Sequence, residues 1–92
     1  MDTEPASWRH LWDELSERDR AAVVVAAREG RHHIDPDLAR ALEQAAERVT
    51  SRGLSLPVAA DRIVVWTGSG DGGFDEAHVS MPFLEWVGIR HP

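Results

Sequence analysis

The chain has 92 residues, a formal net charge of −6, ten arginines, no lysine and no cysteine. That length gives one domain, close to the smallest that folds unaided. The composition excludes a disulfide framework, a thiolate zinc site, a cysteine nucleophile, Schiff-base chemistry and a P-loop lysine. Residues 1–30 hold seven acids against four arginines and residues 61–92 five against two, while the middle third is neutral. No basic stripe is visible, which argues against nucleic acid and anionic membrane as partners and for another, basic protein.

Twelve of the 39 apolar residues are alanine. The larger side chains are few, so self-association into a homo-oligomer is expected to help the core. Met1–Pro5 shows neither a basic n-region nor an apolar h-region, and no segment reaches the length of a membrane span. A cytoplasmic protein is the expectation.

Residues 1–6 read as a disordered lead and 7–92 as a single compact domain. Trp8, Leu11, Trp12 and Leu15 fall at i, i+3, i+4 and i+7, the apolar stripe of a short helix capped by Ser7. Ser16 followed by Asp19 predicts a new helical start, and Gly30 a C-terminal stop. Between them Ala21–Ala27 is apolar around nearly the whole helix, which predicts either an enclosed central helix or one whose second face meets a second copy. Arg31–Ile34 reads as a short connection. Asp35 and Pro36 then start a third helix, with Leu38, Ala41, Leu42, Ala45, Ala46 and Val49 on one face and Gly53 at its end.

Leu15-Ser16-Glu17-Arg18-Asp19-Arg20 and the aliphatic helix that ends at Gly30 resemble the opening of the helix-turn-helix in sigma-factor region 4. The resemblance covers about sixteen residues and stops at Arg31–Leu38, where those families carry a tight turn and a recognition helix. The order of three helices and a hairpin also resembles a winged helix. That likeness implies a transcriptional regulator with helix three as reader, whose Asp37, Glu43 and Glu47 would then face phosphate.

After Pro57 the sequence predicts two antiparallel strands, Arg62–Trp66 and Glu76–Met81, across the loop Thr67–Asp75. Gly68-Ser69-Gly70-Asp71-Gly72-Gly73 satisfies G-x-G-x-x-G, but a dinucleotide unit needs a following helix and a second parallel strand, for which only nineteen residues remain. A hairpin loop is the expected reading. A small-molecule site built on this loop with His78 or the acids Asp71, Asp75 and Glu76 is a further alternative. Pro82–Val87 fits a last helical turn ended by Gly88, or a third strand.

His32, His33 and Asp35 share one connection, with His10 or His78 as a further ligand, but their local spacing matches no metal motif, so neither a metal nor a cofactor is expected. No catalytic constellation stands out. The fold class is α+β: a three-helix N-terminal part followed by an antiparallel hairpin, in winged-helix-like order. The expected function is a small acidic, non-catalytic protein-interaction module, an adaptor or regulator. Its candidate interface is Trp8, Trp12, Val24, Asp71, Phe74, Asp75 and Trp86, because tryptophan is enriched in binding hot spots and loops often order on binding.

Overall fold

A computed structural model describes residues 6–68 and 75–91 of the chain. It is an α+β fold. Helices α1 (Trp8–Glu14) and α2 (Glu17–Glu29) lead into a two-residue strand β1 (His33–Ile34) and helix α3 (Pro36–Ser51). A 3₁₀ turn at Ala60–Arg62 precedes the hairpin β2 (Val64–Gly68) and β3 (Asp75–Val79), and helix α4 (Met81–Arg90) follows.

The helix starts follow from short polar side chains that satisfy otherwise unpaired amides. Ser7 accepts from the Arg9 amide, Ser16 from that of Asp19 at 3.2 Å, and Asp35 from that of Asp37 at 3.0 Å, with Pro36 beside it. Gly30 ends α2 at φ 67°, a left-handed conformation that costs a residue without a Cβ nothing.

The sheet has the order β1-β3-β2, antiparallel throughout. Strand alternation sends Ile34, Val64, Trp66, Ala77 and Val79 to one face, where they meet α3 and its flanks. Helix α1 packs on α3, and α4 on α2. Leu11, Leu42, Ile63, Phe83 and Val87 are wholly excluded from solvent at the centre. Polar ties hold the periphery. Arg48 Nε donates to Glu14 Oε2 at 3.2 Å, Arg52 pairs with the other carboxylate oxygen, and Trp66 Nε1 donates to Glu43 at 3.1 Å.

Four expectations need correction. The connection Arg31–Ile34 contains β1, because the His32 carbonyl accepts from the Val79 amide at 2.8 Å and draws the segment onto β3. Strand β2 starts at Val64, since the 3₁₀ turn occupies Ala60–Arg62, and runs on to Gly68 opposite Asp75. Only residues 69–74 therefore lie between the strands. Met81 belongs to a ten-residue helix, with Pro82 in its first turn and Gly88 inside it. Of the two readings of α2, the enclosed helix is the one that fails: Val23 and Ala26 are buried, whereas Ala21, Ala22 and Val25 face solvent.

Gly88 sits against α2. A Cβ built there would meet the Ala27 methyl at 3.9 Å, ordinary van der Waals contact, and the backbone conformation suits any residue. Gly88→Ala is therefore expected to raise stability by about 0.5–1 kcal/mol through helix propensity. A urea midpoint below that of the parent would show that the contact is tighter than the geometry indicates.

Candidate functional site

The solvent-facing side of the sheet collects polar chemistry. Register puts His33 directly opposite His78, and Val65 opposite His78 on the other side; Glu76, two residues before His78, shares its face and pairs with Thr67. The His33 and His78 rings lie 4.4 Å apart between centroids, and His32 stacks on His78 at 5.1 Å. His33 Nε2 and Glu76 Oε2 are 3.2 Å apart, His78 Nε2 and Glu76 Oε2 4.0 Å, and Thr67 Oγ1 lies 3.2 Å from His78 Nε2. His33 and Glu76 are about half exposed and His78 about a quarter.

A groove of about 380 Å³ adjoins this cluster at His33. Its floor is Ala22, Val25, Ala26, Ile34 and Leu38, contributed by α2, β1 and the first turns of α3; Arg31, His33 and Asp35 form the rim. Val25 is 50% exposed there. The groove runs into a second concavity lined by Arg18, Asp19, Asp35 and Asp37, which shares Ala22 and Leu38 with it. Its lining holds three carboxylates, one of them paired with Arg40, and the Arg18 guanidinium, which leaves that end slightly acidic.

The residues expected at an interface divide. Trp8 is buried, tilted against Phe83 at 5.4 Å, and is a core residue. Trp12 and Trp86 are half-buried and meet edge to face at 6.2 Å; His91 packs on Trp12 at 4.9 Å, and the Arg90 guanidinium lies over Trp86 at 4.7 Å. The pair joins α1 to α4, and a shallow hollow of about 270 Å³ opens beside it between Arg9 and Arg90. Val24 is half-buried on the core side of α2. Asp71 and Phe74 lie outside the described residues, as does the G-x-G-x-x-G stretch beyond Gly68; for Asp75 only the backbone pairing with Gly68 is described.

The histidines also separate. Asp35 is the α3 cap and takes no part in the cluster, and His10 lies on α1; Glu76 stands in their place. No local spacing announces that arrangement. It depends on β1, two residues long, reaching β3 some forty residues later. On α3, Arg40 pairs with Asp37 and lies over Trp66, and Arg48 is held by Glu14, so both arginines have partners within the protein. No helix among the described residues is long and apolar enough to cross a membrane.

No protein family, curated protein or solved structure matches the chain.

Proposed function

We propose that the protein is a small non-catalytic interaction module, an adaptor or regulator. Its groove between α2 and the start of α3 docks a short apolar segment of another protein, flanked by basic residues. The observation that supports this most directly is Val25, half exposed over a continuous apolar floor of Ala22, Ala26, Ile34 and Leu38. Isolated exposed apolar side chains need no explanation, but one that completes a concave apolar surface is the usual anatomy of a docking site. Charge selects the occupant. The acidic end at Asp19, Asp35 and Asp37, on a chain of net charge −6, favours lysine or arginine beside the apolar anchor and disfavours an acidic segment.

A displayed library of random twelve-residue peptides, selected on the immobilised protein, tests the proposal. Enriched peptides are expected to carry two or more large apolar residues next to arginine or lysine. Their affinity should fall at least about tenfold in Val25→Asp, which places a charge on the apolar floor. Val65→Asp, on the far strand of the sheet, should leave it unchanged. No enrichment, or equal binding by Val25→Asp, would remove the proposal. Sedimentation that shows a parental dimer split by Val25→Asp would replace the basic partner with a second copy of the chain.

A further inference from the structure

The three donors on the open face of the sheet converge more closely than their spacing in sequence allows one to foresee. We propose that His33, Glu76 and His78 bind a divalent transition-metal ion of the Zn²⁺ type, with the fourth coordination position open to solvent. Their ligand atoms all lie within 4.8 Å of one another, the only such group of three or more among the described residues.

The donor set decides the class of ion. Two imidazoles and one carboxylate suit zinc and its borderline neighbours, whereas magnesium and calcium prefer cages made of oxygen alone. The geometry agrees. Donors about 2.0–2.1 Å from a tetrahedral zinc stand about 3.3 Å from each other. His33 Nε2 and Glu76 Oε2 already meet that separation at 3.2 Å, and His78 Nε2 must close on Glu76 from 4.0 Å. Rotation about side-chain torsions supplies this, because the half-exposed His33 and Glu76 side chains are not locked by packing. The backbone beneath them is fixed by the β1–β3 pairing, so the three Cα positions need no rearrangement.

The immediate neighbours do not oppose a cation. The cluster's neighbours across the strands, Val65 and Thr67, are uncharged, and the nearby Arg31 is paired with Glu29. The Thr67 hydroxyl, 3.2 Å from His78 Nε2 and 3.4 Å from the Glu76 carbonyl, holds the His78 ring at the site and turns away from it when that nitrogen takes the metal. The bound ion would clip residue 33 to residue 78, strengthening the attachment of a strand only two residues long. It requires no peptide partner and is separable from groove docking.

Titration calorimetry of the full chain with ZnCl₂ is expected to give one saturable site per molecule, and MgCl₂ none. Glu76→Gln and His33→Ala each remove a ligand and should weaken binding by at least about tenfold, the lower end of what even second-shell losses cost. Glu85→Gln, an exposed acid on α4, should bind as the parent does. ZnCl₂ should also raise the melting temperature of the parent and fail to do so in Glu76→Gln, since an ion bound only by the folded state stabilises it by mass action. Both substituted positions are exposed; should His33→Ala lose its far-ultraviolet dichroism, Glu76→Gln alone decides. The absence of a saturable one-to-one isotherm, or equal affinity in Glu76→Gln and the parent, overturns the proposal.

Discussion

Phe83→Ala is expected to lower folding stability by about 3–5 kcal/mol, the range for removing a fully enclosed aromatic ring. Phe83 has no exposed surface, tilts against Trp8 on α1 and lies parallel to Trp86 one turn along α4. Its removal therefore takes away the transfer free energy of the ring and leaves two indoles facing a cavity they cannot fill. The total stability of a chain this size is about 5–14 kcal/mol by the usual value per residue, so the variant is left marginal. Equilibrium urea unfolding followed by tryptophan fluorescence measures the loss. A change below about 1.5 kcal/mol would mean that α4 shifts to close the gap, and so that it is not fixed by this contact.

Leu42→Ala should have the second largest effect, about 2–5 kcal/mol. Leu42 is the largest side chain on the buried face of α3, beside Ala39, Ala45, Ala46 and Val49, all five without exposed surface. The alanines bring the α3 backbone close to its neighbours, and Leu42 fills the space that remains. None of the three methyl groups can extend into the void left by its truncation. Leu38→Ala, half-buried in the groove one turn earlier, is the comparison and should cost distinctly less, because solvent already reaches it. Equal losses at the two positions would show that the α3 face is packed differently.

Much of the helical part was legible because its signals are local. Ser7, Ser16, Asp35 with Pro36, and Gly30 each act within one turn of where they stand, and each marks an observed terminus. Helix α4 was ambiguous for the same reason. Pro82 and Gly88 read as a start and a stop six residues apart, whereas the packing of α4 on α2 carries the helix through Gly88 to Arg90. The tryptophans were legible only as a stripe. The stripe Trp8–Leu15 fixes which side of α1 is apolar, but not that Trp8 is sealed by Phe83 while Trp12 stays at the surface with Trp86 and His91. The histidine cluster was out of reach, since a two-residue strand has no periodicity to read and its partner is distant in sequence.

Strand β3 lies between β1 and β2 and, among the described residues, is the only mate of each. As the chain is synthesised, residues 33–34 and 64–68 both emerge before the strand that joins them, and neither can be satisfied by the other. Helices α1 and α3 can meet before then, whereas α2 must wait for α4, the helix it packs on most. The sheet can assemble only once residues 75–79 arrive and pair along both edges, shortly before α4 follows and packs on α2. Until that moment the strand edges are open to any extended chain nearby, so the interval between synthesis of residue 68 and residue 79 is when this protein is most exposed to mispairing.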